Sequence, residues 1–175
     1  MQPLARAGHS ETHFKSAQLQ YLFRKLFCLI STRLTPLVQH LALHDLSIQK
    51  VWEILFELLT EEGRLRLLQN RHLDHLILCS TFGVVKSMNH IHPGTKRLTG
   101  PDELLGAYRA VTHCPFVSID DVNVHDLVKE GEHDRATFLN FYNVHFLPKT
   151  WDLITSVLNR QTVSLSGFSI FLIIY

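Results

Sequence analysis

Residues 71–86 read Arg71-His72-Leu73-Asp74-His75-Leu76-Ile77-Leu78-Cys79-Ser80-Thr81-Phe82-Gly83-Val84-Val85-Lys86, and the fold turns on this stretch. A charged cluster opens it, a nearly unbroken apolar run of helical length follows, and Lys86 closes it. Ser80 and Gly83 are small residues inside the run. A helix that is apolar on most of its circumference has to be enclosed by other elements. The stretch therefore predicts the central helix of a bundle, from about Asn70 to Met88.

Helical spacing continues on both sides. Phe23, Leu26, Phe27, Ile30, Leu34, Leu37, Val38 and Leu41 recur at three- and four-residue steps. Pro36 falls within this face. It either kinks the helix by removing the bond to the Thr32 carbonyl, or restarts it with Thr35 as cap. Ile48, Val51, Trp52, Leu55 and Leu59 form a second stripe, capped by Asp45 or Ser47 and ended by Gly63. Prolines and glycines make a loop of 89–101. A short helix is expected over 102–111, with Leu104, Leu105 and Tyr108 on one side. Residues 114–135 are mixed and acidic and read as a long loop with a helical turn at its middle. Phe138–Phe146 is the last clear helix, stopped or kinked at Pro148, with Trp151, Ile154 and Val157 as its possible continuation. Strand alternation is nearly absent. The expectation is an all-α chain of about five helices around a buried central one.

The chain has 175 residues, of which 46% are hydrophobic and 19% charged, enough for one domain with a real core. A net charge of +1 excludes nucleic-acid binding through a bulk basic field. Cys28, Cys79 and Cys114 are odd in number and irregular in spacing, which suits reduced thiols in the cytosol or nucleus. The first residues contain no signal-peptide core. The apolar stretch 163–175 is too short for a bilayer, which takes about 20 residues. It reads as an incomplete or mis-spliced chain end, or as a buried final strand or helix turn. The organisation expected is an extension over 1–20, a domain over 21–158 and an atypical apolar tail over 159–175.

The central run resembles the signature of the B half of the retinoblastoma family's pocket. Members of that family carry an Arg-His-Leu-Asp opening followed by apolar residues, a cysteine, an aromatic and a lysine. Here these are Arg71 to Asp74, then Cys79, Phe82 and Lys86. A second block, Phe141-Tyr142-Asn143 with Phe146 downstream, is similar to the family's last-helix motif. Leu22 to Lys25, Arg33-Leu34, Val51-Trp52 and Tyr108-Arg109 match more loosely, in the same order. The resemblance runs from about Leu22 to Trp151.

The resemblance implies a cyclin-like box that binds proteins rather than catalysing a reaction. Implied partners carry Leu-x-Cys-x-Glu, among them chromatin-modifying corepressors and viral oncoproteins. Cell-cycle transcription factors would join only where a pocket A half is supplied. The implied setting is the nucleus, within a transcriptional corepressor. The implied peptide-binding residues are Cys79, Phe82, Lys86, Tyr142 and Asn143. Cys79, Phe82 and Lys86 share one stripe at i, i+3 and i+7. An Asn amide both donates and accepts, which suits Asn143 to peptide backbone. Tyr142 offers a hydroxyl and a ring wall, and Lys86 a positive charge for an acidic peptide.

This chain departs from the family pattern in several places. Phe82 stands where the family has Tyr. Asp102 lies where a second groove lysine is usual, and Lys96 and Arg97 in the longer preceding loop offer replacement charge. Lys149 and Trp151 occupy the places of a usual Arg and Lys. Read without the resemblance, Cys79 is a packed core thiol, Phe82 and Tyr142 are core aromatics, and Arg71 with Asp74 is an i, i+3 ion pair at a helix end.

Other chemistries lack motifs. Twelve histidines include pairs at His40/His44 and His72/His75, but neither HExxH nor paired CxxC occurs, so no metal or other cofactor is expected. No phosphate loop or nucleophile elbow occurs. Glu61-Glu62 and Asp120-Asp121 read as solvated carboxylates. Two other readings stay open: a truncated pocket fragment with no working groove, and a general cyclin-box adaptor whose binding ignores Lys86 and Asn143.

Overall fold

The computed structural model describes residues 8–91, 98, 100–112, 119–127 and 135–160, with the backbone alone at 8–16, 62–63 and 89–91. Five substantial helices make the bundle: α1 (Gly8–His40), α2 (Asp45–Thr60), α4 (Leu73–Ile91), α5 (Pro101–Thr112) and α7 (Leu147–Asn159). Two short helices, α3 (Glu62–Leu65) and α6 (Phe138–Asn140), and a π-helical segment (Phe141–Phe146) complete the helical part.

The predicted central helix is α4. Every residue from His75 to Val85 is buried. Helix α2 lies along it, and α1, α5 and α7 pack on its other sides. Leu76, Ile77, Leu78 and Val84 are almost completely enclosed, each such side chain contributing about 1.5–3 kcal/mol. Three polar residues of this helix, His75, Ser80 and Thr81, turn inward as well. Thr81 donates to the Ile77 carbonyl at 2.7 Å, whereas the Ser80 hydroxyl has no partner among the described residues.

Several boundaries differ from the sequence expectation. Helix α4 begins at Leu73, three residues later than the expected Asn70. Asn70 adopts φ 57°, a left-handed conformation that ends a run of short turns over Leu67–Arg71. Helix α2 is capped by neither Asp45 nor Ser47. The His44 ring Nδ1 accepts from the Leu46 amide at 3.2 Å, and Asp45 sits in the first turn, where its charge favours the helix dipole. Helix α1 continues through Pro36 to His40, so no new helix starts there. It ends in a Schellman arrangement: Leu43 N–H reaches the Val38 carbonyl and Ala42 N–H the Gln39 carbonyl, with Ala42 at φ 48°.

The segment expected to be loop contains a small antiparallel ribbon, β1 (Asp121–Asn123) with β2 (Arg135–Thr137), in the register Val122↔Ala136. Its strands are too short for alternation to show in the sequence. Arg135 pairs with Asp121 at 2.6 Å across it, and Arg109 of α5 pairs with Asp120 at its foot. A turn at 125–127 follows β1.

Pro148 neither stops nor breaks the last helix. Thr137 caps α6 by accepting from the Asn140 amide. The chain then widens into π geometry, closing with Leu147 N–H on the Tyr142 carbonyl. Pro148 falls just after this reset, in the first turn of α7, where its missing donor is harmless. The Thr150 hydroxyl donates to the Phe146 carbonyl at 2.8 Å.

Candidate peptide-docking site

The stripe on α4 divides by depth. Cys79 is wholly enclosed, Phe82 is 5% exposed and Lys86 is exposed. Opposite it, the π segment turns Phe141, Tyr142 and Phe146 inward and leaves Asn143 and Val144 outside. The Phe82 ring meets Tyr142 edge to face at 5.0 Å and Phe138 at 6.4 Å. Tyr142 stacks on Phe146 at 5.9 Å. The sequence stripes on α4 and on the last helix therefore meet in one aromatic cluster. Edge-to-face ring pairs add about 0.5–1.5 kcal/mol beyond their burial.

The Lys86 ammonium lies 5.6 Å over the Phe82 ring. This cation–π contact holds a positive charge at the rim of the aromatic floor. Asn143 follows Tyr142 and is exposed, and its amide can both donate and accept. Lys149, near the start of α7, is exposed, and its charge helps lower the pKa of Asp126. Lys96 and Arg97 lie outside the described residues. Asp102 is exposed at the start of α5.

Electrostatically the floor is neutral. Burial raises the Cys79 thiol well above its ordinary range. Burial, together with nearby Cys79, pushes Tyr142 up to about 12. Neither group ionises near neutral pH, so Cys79 supports the floor as a packed thiol and offers no nucleophile. Among the described residues, no three His, Cys, Asp or Glu side chains stand together to hold a metal.

Gly83 permits the close packing of these elements. A Cβ placed on it would stand 3.3 Å from both Ile154 Cδ1 and Tyr142 Oη. Helix α4 thus approaches α7 and the π segment on its glycine face, between Phe82 and the enclosed Val84. The small residue inside the apolar run was the visible signal; its partners were not.

The opening cluster behaves differently from expectation. Arg71 does not pair with Asp74. Its side chain is completely buried and reaches Asp126 with both terminal nitrogens, at 2.6 and 2.9 Å. It also donates to the carbonyls of Leu67, Asn123 and Arg66. Asp74 lies in the first turn of α4, which begins after Arg71, whereas the end of β1 and the turn that follows it supply three acceptor atoms at one place. A buried guanidinium needs that many partners. The Arg71 guanidinium further lies 5.7 Å from the Phe141 ring centre, fastening this corner to the helix that carries Tyr142 and Asn143.

Comparison with known proteins agrees with this arrangement. The family model for the retinoblastoma-associated protein B domain matches residues 18–151. Retinoblastoma-related protein 3 of Zea mays is 29% identical over 140 residues, 77% of this chain and 13% of the relative. Retinoblastoma-related protein 1 of Nicotiana benthamiana is 26% identical over 155 residues, 86% of this chain and 14% of the relative. Retinoblastoma-related protein 1 of Oryza sativa subsp. indica is 28% identical over 138 residues, 76% and 13% of the two chains. The chain thus spans about one seventh of the length of these relatives. With the buried α4, the helices around it and the matched span all in agreement, this chain is a cyclin-like box that belongs to the retinoblastoma-associated protein B-domain family.

Proposed function

We propose that this chain is a protein-docking module that accepts Leu-x-Cys-x-Glu peptides on the surface between α4 and the π segment. The observation that carries this reading is the edge-to-face contact of Phe82 with Tyr142. It brings the two family-matched blocks together, with Lys86 and Asn143 exposed at the margin of their shared floor. An extended peptide has unpaired backbone groups to satisfy. Asn143 serves those, and Lys86 favours an acidic residue. Phe82 lacks the hydroxyl of the family's usual Tyr, so hydrogen bonding falls more heavily on Asn143.

The role is binding, not catalysis: a corepressor component in cell-cycle transcription control, acting in the nucleus. No helix among the described residues is long and apolar enough to cross a membrane. The test is calorimetric titration with a Leu-x-Cys-x-Glu peptide and with the same peptide carrying Ala for Cys. Tighter binding of the first supports the reading; indistinguishable affinities overturn it.

A further inference from the structure

Trp151 is 54% exposed on α7, and Val144 is 56% exposed on the π segment before it. Pro148, also exposed, lies between them. Single exposed apolar residues are ordinary on a protein surface. These differ because they adjoin the margin that carries Asn143. Eight residues of regular α-helix make about two and a quarter turns, which would carry Trp151 well round from Asn143. The stretch between them is not regular. Its first half lies in the π segment, which closes with the Leu147 amide on the Tyr142 carbonyl and takes up more residues per turn. The excess is absorbed, and Asn143, Leu147 and Trp151 fall on one side of the helix, next to the inward row of Tyr142, Phe146 and Thr150. Burial agrees with this placement. Asn143 and Trp151 are exposed, Leu147 between them is half-buried against the core, and the inward row is buried.

The spacing suits an extended peptide. Asn143 and Trp151 stand about 12 Å apart along the axis, at 1.5 Å per residue. An extended chain covers that distance in three or four residues, at about 3.3 Å each. A five-residue motif whose middle pairs with Asn143 therefore ends short of Trp151. The residue that meets the indole lies one or two places outside the motif. The surface there is apolar, with Leu147 and Trp151 on the stripe and Val144 and Pro148 beside it. The nearest charged side chains of α7, Lys149 and Asp152, are opposite in sign, and Lys149 acts on Asp126. A half-exposed indole gains from being covered by another apolar side chain. A carboxylate placed on the same stripe would lose water without meeting a cation.

We infer that Trp151 is a specificity-determining residue of the docking surface, selecting peptides with a large apolar residue just outside Leu-x-Cys-x-Glu over peptides with an acidic residue there. The inference rests on the docking reading above and names the peptide flank that the reading leaves open. The lysine usual at this place in the family pattern would favour the opposite flank.

Calorimetric titration of the full chain tests this with three peptides, the motif being flanked on both sides by two serines, two leucines or two glutamates. The leucine-flanked peptide should bind about tenfold tighter than the serine-flanked one, and the glutamate-flanked one no tighter than serine. Trp151→Ala should bring the leucine and serine flanks within about twofold of each other, while still preferring Cys to Ala within the motif. Trp151→Lys should turn the preference to glutamate. The emission of Trp151 should move to shorter wavelength with the leucine-flanked peptide, read against Trp151→Phe, in which Trp52 is the remaining tryptophan. Equal affinity of the parent chain for all three flanks overturns the inference, as does a leucine preference that survives Trp151→Ala. In both cases a retained preference for Cys over Ala leaves the docking reading standing. Absence of that preference with every flank overturns both. An emission shift on concentrating the chain without peptide would assign the face to a second copy and overturn the inference as well.

Discussion

Arg71 and Asp126 form a two-point ion pair that joins the entrance of α4 to the turn after β1. The Arg71 side chain is fully enclosed, while that of Asp126 keeps 17% exposure. Burial of Asp126 opposes its ionisation, but the hydrogen bond and charge of Arg71 outweigh this and hold its carboxyl below the ordinary value of 3.8. Removing Arg71 would strand the carbonyls of Leu67, Asn123 and Arg66 together with the carboxylate. Arg71→Ala should cost about 3–5 kcal/mol, as for other broken buried pairs. Asp126→Asn, which keeps the carbonyl acceptors and one oxygen, should cost about 1–3 kcal/mol. Urea midpoints at pH 7 check both values, and equal losses would show that the carbonyl bonds contribute nothing separately.

His75 gives the fold an acid-sensitive point. The residue is 2% exposed and both ring nitrogens lack a hydrogen-bonded partner among the described residues. Burial lowers its pKa from 6.5 to about 4, aided by the electrostatic influence of nearby His72 and Arg71. Asp74 and the Ile119 backbone, which approaches without reaching hydrogen-bond geometry, oppose the shift only in part. The folded state therefore favours the neutral ring. Its contribution is fully present above pH 6.5 and is lost as pH falls from 6.5 toward 4, because the unfolded chain takes up the proton first. The loss should reach about 3 kcal/mol. The Asp126 contribution disappears only below 3.8, so the two windows separate. His75→Leu should flatten the stability profile between pH 6.5 and 4 in a denaturant series. A profile as steep as that of the parent chain would assign the slope to other groups.

The apolar periodicity made the bundle legible because buried helical faces repeat every three to four residues, whatever their partners. Ile77, Leu78 and Val84 are enclosed as expected, and so are Leu55, Leu59 and Ile30. The partner of Arg71 was not legible: Asp126 lies 55 positions away, and Asp74 offered a local alternative. The His75 side chain, read as part of a polar opening, is buried because the first turn of α4 already faces Phe141, 6.4 Å from its ring. Pro148 signalled a break that the wider π turn absorbs, and no local propensity announces such a turn. The aromatic floor was visible as two separate stripes. Only the approach at Gly83 joins them.

Gly83 should therefore tolerate little. A Cβ meets Tyr142 Oη and Ile154 Cδ1, both at 3.3 Å, and Tyr142 is held on its other sides by Phe82 and Phe146. A branched side chain adds further carbons in the same space. Gly83→Val should destabilise by about 1–3 kcal/mol through overpacking, despite the loss of a helix-interior glycine. The change should also disturb the tyrosine environment, visible as altered near-ultraviolet dichroism. An unaltered spectrum and thermal midpoint would mean that the helices separate freely at this contact.

Ala42 carries a conformation better suited to glycine. Its φ of 48° completes the end of α1, where the Leu43 and Ala42 amides satisfy the Val38 and Gln39 carbonyls. A Cβ in this left-handed region costs about 1–2 kcal/mol, partly offset by the greater freedom of glycine in the unfolded chain. Ala42→Gly should therefore stabilise by about 0.5–1 kcal/mol, a rise of a few degrees in thermal midpoint. A lower midpoint would mean that the alanine methyl contributes packing that outweighs its strain.

Lys86 and Asn143 should separate in binding where neither matters to folding, since both are exposed. Lys86 offers a charge over the Phe82 ring, and an exposed pair with a peptide carboxylate contributes about 0–1 kcal/mol. Lys86→Ala should weaken a Leu-x-Cys-x-Glu peptide by less than about fivefold, and the difference should shrink in high salt. Asn143→Ala removes paired donor and acceptor groups and leaves peptide backbone unsatisfied. It should weaken the same peptide by about 5- to 150-fold, with little salt dependence. Titration of both variants at low and high ionic strength, with thermal midpoints as the folding control, reads the two effects apart. If both variants bind like the parent chain, docking does not use this margin, and partner recognition of the general cyclin-box kind takes its place.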